Sequence, residues 1–376
     1  MDWTYFTLAG AVIWFAVLLL PWRPWDIREF LEADNPSREE DLSDITAVIP
    51  ARNEAKFVIP LISGLQAQGN HLIAILVDDQ STDGTVQTAL RLGKGNLRII
   101  KGEPLPAGWS GKLWALEQGV AHVQTPLTLL LDADIELQAG ILAALRKMMT
   151  ENGLQFVSLM ASLRMVSFWE QFFMPAFIYF FRLLYPFHLA NSRDCRVAAA
   201  AGGCILLETR LLREIGGFKA LRGELIDDCA LARKVKALGH NTWIGLTHSI
   251  LSHRPYDNLA GIWNMVARTA FAQLRFSPLS LLLCTVLMLI AFWLPVAGLF
   301  WGNFIAMVVS AAGLGAMVLS YLPTLKFYGI PKAFATAMPL IGTFYLGMTW
   351  TSALRFWFKE GSEWKGRSYT RKRKDR

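Results

Sequence analysis

The chain has 376 residues, of which 53% are hydrophobic and 18% are charged, and its mean hydropathy is +0.33. So few charges exclude a disordered, collagen-like or coiled-coil protein and argue against a purely water-soluble one. The net charge of +7 comes mainly from residues 355–376, which hold nine of the 37 Lys and Arg residues, so we expect a basic cytoplasmic tail beside a membrane and no nucleic-acid partner.

The first predicted element is an N-terminal membrane anchor over residues 1–22. Residues 3–22 carry no charged side chain and are about long enough to span a bilayer. Asp2 precedes this run, whereas a signal peptide begins with basic residues. Because Arg23 and Arg28 follow the run, the positive-inside rule places the next residues in the cytoplasm. We therefore expect a multi-pass protein of the inner (plasma) membrane.

Residues 23–278 are predicted to form a cytoplasmic α/β domain with a mainly parallel sheet, because apolar runs alternate with helix-like stretches. The predicted strands are 45–49, 72–77, 97–100 and 127–131, and the helices between them are 54–68, 83–92 and 112–123. In such sheets ligands bind at the carboxyl ends of the strands. Polar clusters follow several of these strand ends.

The first polar cluster is VDDQSTDGT, residues 77–85, in which Asp78 and Asp79 follow a buried strand. It indicates either a ligand site or a plain strand–turn–helix junction in which residues 81–83 cap the next helix.

The second polar cluster is LLLDADIE, in which Asp132 and Asp134 flank one alanine. Residues i and i+2 of an extended segment point the same way, so we expect both carboxylates on one side. Such an oxygen pair suits Mg²⁺ or Mn²⁺ that retains water and binds phosphates.

Three further groups are candidates for the chemistry. Lys112, in GWSGKLWAL, lies at a predicted helix start and suits a diphosphate. Asp227 and Asp228 precede a predicted helix over 229–238, either as a general base with its neighbour or as capping acids. Arg268 lies among apolar residues, which favours a partnered charge.

The remaining apolar segments are predicted to contact the membrane. Residues 167–190 are rich in aromatic side chains but contain charges and prolines, so they fit an interfacial helix pair or a buried core helix. Residues 279–354 are predicted to hold two to three helices, near 279–300, 303–323 and 333–354. Three crossings there would put the basic tail outside the cell, so the count of crossings stays open.

Other motif classes are excluded. The sequence has no GxGxxG, Walker A, GxSxG or HExxH motif, which excludes dinucleotide, P-loop, serine-hydrolase and zincin chemistry. His248 and His253 show no zinc-ligand spacing and are interpreted as structural or surface residues.

Seven motifs follow one another along the chain: IPARNEA, VDDQSTDGT, GWSGKLWAL, DAD, AGGCILL, IGGF and LIDDCALARKVKALG. This set resembles the family 2 glycosyltransferases with a GT-A fold over about residues 45–270. The GWSGK block and WKGRSY at 364–369 are closest to the hopanoid-associated branch. Ceramide glucosyltransferases and carotenoid glycosyltransferases are similar.

The resemblance implies a role for each matching residue. The nucleobase would be contacted by Arg52, Asn53 and Glu54, with Asp78 and Asp79. Lys112 would lie near the phosphates, and Asp132 and Asp134 would hold the ribose and the metal. The acceptor would lie near Gly202, Gly203 and Cys204, and Asp228, beside Asp227, would be the general base. Asp227 stands where the family usually has Glu, and the family's Gln-x-x-Arg-Trp motif retains only Arg268, which argues against a processive polymer synthase.

The function implied is inverting transfer of a sugar from a nucleotide sugar, with UDP expected as the nucleotide, to the hydroxyl group of a hopanoid-like lipid, with Mg²⁺ or Mn²⁺. The alternatives are a polyprenyl-phosphate or ceramide-type glycosyltransferase, a nucleotidyltransferase and a non-catalytic membrane scaffold. A transporter is disfavoured because residues 277–354 contain no acidic residue.

Overall fold

The computed structural model describes residues 3–33, 40–93, 95–358, 362–364 and 367–369. Its strands are β1 (Ile45–Ala51), β2 (Ile73–Asp78), β3 (Leu97–Lys101), β4 (Leu127–Leu131), β5 (Ile135–Leu137), β6 (Phe156–Ser162), β7 (Cys204–Glu208), β8 (Thr242–Ser252), β9 (Ser362–Trp364) and β10 (Arg367–Tyr369). The predicted strands are confirmed to within two residues at each end.

The α-helices are α1 (Trp3–Leu19), α2 (Val58–Gln66), α3 (Thr85–Leu92), α4 (Gly111–Val120), α5 (Ile141–Asn152), α6 (Phe168–Leu184), α7 (Phe187–Asn191), α8 (Thr209–Glu214), α9 (Asp227–Ala237), α10 (Leu259–Ala267), α11 (Ala270–Gln273), α12 (Pro278–Met288), α13 (Leu294–Trp301), α14 (Phe304–Phe327) and α15 (Met338–Trp357). A π-helical turn, Leu289–Trp293, joins α12 to α13, and 3₁₀ helices cover Phe218–Leu221 and Lys332–Ala337. The predicted helix at 54–68 is shorter at its start, because its first residues belong to a loop.

One compact unit comprises residues 29–164, 189–255 and 362–376. Its main sheet has the strand order β3-β2-β1-β4-β7-β6-β8-β5. The pairs β1–β2, β1–β4, β2–β3 and β6–β8 are parallel, whereas β7 runs antiparallel to β4 and β6, and β5 antiparallel to β8. This mixed, mostly parallel sheet with helices confirms the predicted α/β class.

Strand β1 lies between two apolar cores. Ala47 and Ile49 face a core with α2 and α5, and Val48 faces a second core with α4 and α9. Helix α4 approaches closely because it carries Gly119, where a Cβ would lie 2.4 Å from Val48 Cγ1. Burial on both faces explains why the strand reads as a continuous apolar run.

The second unit comprises residues 1–28, 165–188 and 256–361. It groups the aromatic segment with the apolar helices, whereas the sequence had placed that segment in the cytoplasmic domain. Two helices, Pro278–Trp301 and Phe304–Phe327, are long and apolar enough to cross a membrane, and α1 is a shorter apolar helix. Trp14 of α1 donates from Nε1 to the carbonyl of Ala291 at 2.7 Å.

The aromatic segment forms the predicted pair of helices, α6 and α7. Ser167 and Glu170 form a capping box at the start of α6, and Glu170 is fully buried. Nine residues of α6 are buried, including Arg182, as the alternative of a buried core helix predicts. A position at the membrane interface stays a prediction. The predicted basic tail, 355–376, falls largely outside the described residues.

Candidate functional site

The loops after β1 and β2 are joined to each other. The Asn53 amide donates to Ser81 Oγ at 2.9 Å, and the Thr82 amide donates to Asn53 Oδ1 at 2.8 Å. Arg52 donates from Nη1 to the Asp79 carbonyl at 2.6 Å. The structure thus brings the predicted base-binding residues together at the carboxyl end of the sheet.

The backbone of these loops is strained. Asn53 and Gln80 have φ values of +52° and +59°, which lie in the left-handed region that residues other than glycine seldom adopt. The predicted capping of α3 holds for Asp83, which accepts from the amide of Thr85 at the helix start, although the N-cap position itself is Gly84. Asp83 also accepts from the amide of Ala55, which fixes the two loops against each other.

The two aspartates of the DAD sequence do not form the predicted extended pair. They lie in a turn, in which the Ile135 amide donates to the Asp132 carbonyl at 3.1 Å. Lys112 Nζ lies 2.6 Å from Asp132 Oδ1. Asp134 accepts from Ser252 Oγ at 3.0 Å and from Arg254 Nη2 at 3.2 Å. Each carboxylate therefore has a different protein cation.

The segment after β8 contributes residues that sequence reasoning missed. Arg254 Nη2 also donates to Glu54 Oε1 at 2.9 Å, and its guanidinium lies 5.6 Å from the centre of the Phe57 ring. His253, interpreted from the sequence as a bystander, donates its amide to the Asp134 carbonyl at 2.9 Å, and its Nε2 lies 2.5 Å from Glu136 Oε2. The sequence predicted no strand over residues 242–252, so nothing there marked these two residues as following a strand end.

A small pocket at the start of α9 has a cavity volume of about 20 Å³, which is room for about one water molecule. Lys112 and Asp132 share it with Asp227 and Asp228. Gly202 donates its amide to Asp228 Oδ2 at 2.8 Å and accepts from Lys112 Nζ at 3.3 Å. A Cβ on Gly202 would lie 3.1 Å from Lys112 Nζ and 3.3 Å from Asp228 Oδ2, so glycine permits this approach.

The pocket shifts the pKa values of its groups. Burial, and then the charge of Asp227, raise the pKa of Asp228 to about 6, against the backbone amides of Cys229 and Gly202 and the charge of Lys112. Burial opposes the charge on Lys112, but the surrounding carboxylates, Asp132 first, raise its pKa above the ordinary value. Burial also raises the pKa of Asp132, while Lys112 acts against that rise.

The carboxylates of Asp132 and Asp134 fit a divalent cation whose other ligands are water and substrate phosphates. Among the residues that the structure describes, no group of three or more His, Cys, Asp or Glu side chains is arranged to hold a metal. Mg²⁺ needs only one or two carboxylates when water and substrate phosphates complete its shell. Asp132 and Asp134 are the carboxylates that would supply those oxygens, and each has lone pairs beyond those used by its cation.

Other predicted residues are placed less favourably. Cys204 begins β7 with its side chain fully buried, and burial raises the pKa of its thiol to about 12. Its side chain therefore cannot contact an acceptor, and Gly203 faces Ile135 at the same strand end. Arg268 lies at the end of α10 in the second unit, where its amide donates to the Asn264 carbonyl.

Comparisons with known proteins find a family model and named relatives that are similar to this chain. Residues 46–216 match the sequence model of the family described as "Glycosyl transferase family 2". The chain is 30% identical over 110 residues to 4,4'-diaponeurosporenoate glycosyltransferase of Staphylococcus haemolyticus (strain JCSC1435), a match covering 29% of each chain. It is 33% identical over 91 residues to the enzyme of that name from Staphylococcus aureus (strain USA300), covering 24% of each.

A solved structure resembles nearly the whole chain. The mannosyltransferase PcManGT from Pyrobaculum calidifontis, in complex with GDP-Man and Mn²⁺, superposes with a TM-score of 0.55 at 18% identity, over 95% of this chain and 99% of that one. The predicted GT-A fold is thereby confirmed, and residues 46–216 match the family 2 glycosyltransferase model. The chain matches less than a third of the length of the curated relatives, so whole-protein activity is a matter for proposal.

Proposed function

We propose that this protein is an inverting glycosyltransferase that moves a sugar from a nucleotide sugar to the hydroxyl group of a membrane lipid. The observation that carries the proposal is the pocket of Asp228, whose pKa of about 6 suits a general base near neutral pH. The family 2 domain and the relatives named as glycosyltransferases support it.

The chemistry follows from the placement of the charged groups. Asp228 takes the proton of the acceptor hydroxyl as the oxygen attacks the anomeric carbon on the face opposite the nucleotide. The bond from that carbon to the diphosphate breaks, and the electron pair leaves with the nucleoside diphosphate. Lys112 supplies positive charge beside the reacting groups. The loops after β1 and β2 hold the nucleobase of the donor. Arg268 is a further candidate to neutralise the diphosphate.

A divalent cation fits this scheme. Asp134 and Asp132 would hold Mg²⁺ or Mn²⁺, and the ion would supply positive charge for the diphosphate. The relative with GDP-Man and Mn²⁺ supports a metal and a nucleotide sugar in general. UDP is our first choice of nucleotide, from the family resemblance.

We place the protein in the inner membrane with the sheet-containing unit in the cytoplasm. If α1, Pro278–Trp301 and Phe304–Phe327 cross the bilayer, the chain after Phe327 returns to the cytoplasm. Lys332 and the basic tail then obey the positive-inside rule, and α15 need not cross. This count removes the conflict that a third C-terminal crossing creates.

The acceptor we propose is a hopanoid-like lipid. The resemblance of the GWSGK block to the hopanoid-associated branch supports it. The relatives named for 4,4'-diaponeurosporenoate add a second candidate class of acceptor, an apolar carboxylate. A polyprenyl phosphate or a ceramide would use the same donor chemistry.

The test is donor turnover by the full chain in lipid nanodiscs. The protein is incubated with Mn²⁺ or Mg²⁺, a panel of UDP- and GDP-sugars and candidate lipids, and released nucleotide and lipid products are identified by mass spectrometry. We expect lipid-dependent release of a nucleoside diphosphate that Asp228→Asn abolishes and that Lys147→Met, on the exposed face of α5, leaves intact. Pyrophosphate release in a parallel incubation with a nucleoside triphosphate and a sugar phosphate would indicate a nucleotidyltransferase. No turnover in either incubation, with nucleotide bound, would indicate a scaffold.

A further inference from the structure

Arg254 lies where a divalent cation would compete with it. Its Nη2 bridges Asp134 Oδ1, at 3.2 Å, and Glu54 Oε1, at 2.9 Å. The Glu54 side chain is 2% exposed and the Asp134 side chain 12%, so little solvent screens these contacts. The guanidinium is also held over the Phe57 ring.

We propose that Arg254 is a resident counter-cation of Asp134 that weakens metal binding to the empty site, so that the metal binds mainly together with a nucleotide diphosphate. The proposal rests on the function proposed above, in which Asp134 holds the metal. It assigns Arg254 to regulation of metal loading and not to the transfer step itself.

The electrostatic argument has two parts. A divalent ion on an Asp134 oxygen would lie within a few ångströms of the guanidinium, and like charges at that distance in a sheltered site repel strongly. A bound diphosphate changes the balance, because it brings negative charge to both cations and offers the five N–H donors of Arg254 another acceptor. The metal and the nucleotide should therefore favour each other's binding reciprocally.

The test measures Mn²⁺ binding to the full chain in detergent and does not depend on enzyme activity. Free Mn²⁺ is quantified from its electron paramagnetic resonance signal. Without nucleotide, Arg254→Gln should bind Mn²⁺ about tenfold more tightly than the unmodified protein, equivalent to about 1.4 kcal/mol of binding free energy. Arg254→Lys, which retains the charge, should stay close to the unmodified protein. Added UDP should tighten Mn²⁺ binding more in the unmodified protein than in Arg254→Gln.

Two further variants make the result decisive. Glu54→Gln removes the charge of one of the two carboxylates described above as paired with Arg254 and should weaken Mn²⁺ binding, the opposite of Arg254→Gln. Arg210→Gln removes an exposed arginine paired with Glu208 and Glu214, and it should change nothing.

Each outcome bears on a different statement. If Asp134→Asn abolishes Mn²⁺ binding but Arg254→Gln binds no more tightly than the unmodified protein, the role of Arg254 is refuted and the proposed function stands. If Mn²⁺ does not bind in the presence of UDP, the metal-dependent function and the role of Arg254 fail together. If Arg254→Gln does not fold, an unchanged Mn²⁺ affinity on adding UDP to the unmodified protein refutes the role by itself.

Discussion

Replacing Lys112 with methionine should move the pH dependence of transfer to higher pH. Lys112 Nζ and Asp228 Oδ2 lie 3.1 Å and 3.3 Å from the position that a Cβ on Gly202 would take, so they are no more than about 6 Å apart. At a separation of about 6 Å and an effective dielectric constant of about 20, two unit charges interact by about 3 kcal/mol, or about two pKa units. The ammonium therefore keeps the Asp228 pKa near 6 against burial and Asp227.

The sign of the effect is fixed by the role of the base. Asp228 accepts a proton only when ionised, so kcat/KM should rise with pH through about 6 in the unmodified protein. In Lys112→Met the rise should occur at least about one unit higher, because the removed charge had favoured the carboxylate. The activity lost at pH 6.5 should then be partly recovered at pH 9.

The assay is kcat/KM for nucleoside diphosphate release between pH 5 and pH 9.5, with Lys147→Met as the matched control and Lys112→Arg as the variant that keeps the charge. A Lys112→Met profile that is lower but unmoved along the pH axis would refute the reasoning. Lys112 would then act on the diphosphate alone, with no influence on the base.

Three other results follow from the structure. Gly202→Ala should lower kcat with little change in melting temperature, because its Cβ would press on Lys112 Nζ and Asp228 Oδ2 and displace the flexible ammonium first. Gln68→Leu should lower the free energy of unfolding by about 2 kcal/mol in chemical denaturation, since it removes buried bonds to the carbonyls of Gly64, Leu137 and Gln138. Asp228→Asn should flatten the pH dependence of the melting temperature. Because the pKa of Asp228 is raised in the folded protein, the unmodified protein loses about 1 kcal/mol of stability from this group as pH rises from 5 to 7. Melting temperatures that fall equally with pH in both proteins would contradict this.

The sheet and the positions of its polar loops could be predicted from the sequence because both are local properties. Runs such as LTLLL are apolar because β4 is buried between two layers, and strands of a parallel sheet end at one edge. That rule was enough to bring Asp79, Asp132 and the first-loop residues to one end of the unit.

The pairing of the charges could not be predicted in the same way. Arg254 is 120 residues from Asp134 in the sequence and 200 from Glu54. The pairing of β8 with β5 brings it near Asp134, and the order of the strands in the sheet brings Glu54, after β1, to the same site. The conformation of the DAD segment was predicted as extended because the strand before it is extended. The turn that ends β4 gives its two carboxylates different surroundings.

That turn separates the site into two charge networks. Asp132 belongs with Lys112 and, through it, with the base Asp228, whereas Asp134 belongs with Arg254 and Glu54. Because the two aspartates form ion pairs with different cations, substituting them should have different effects. Asp132→Asn releases Lys112 toward Asp228, which should lower the pH at which kcat/KM rises, while Asp134→Asn should leave that pH unchanged and abolish Mn²⁺ binding. Equal effects of both substitutions on the pH at which kcat/KM rises would mean that the two aspartates do not belong to separate charge networks.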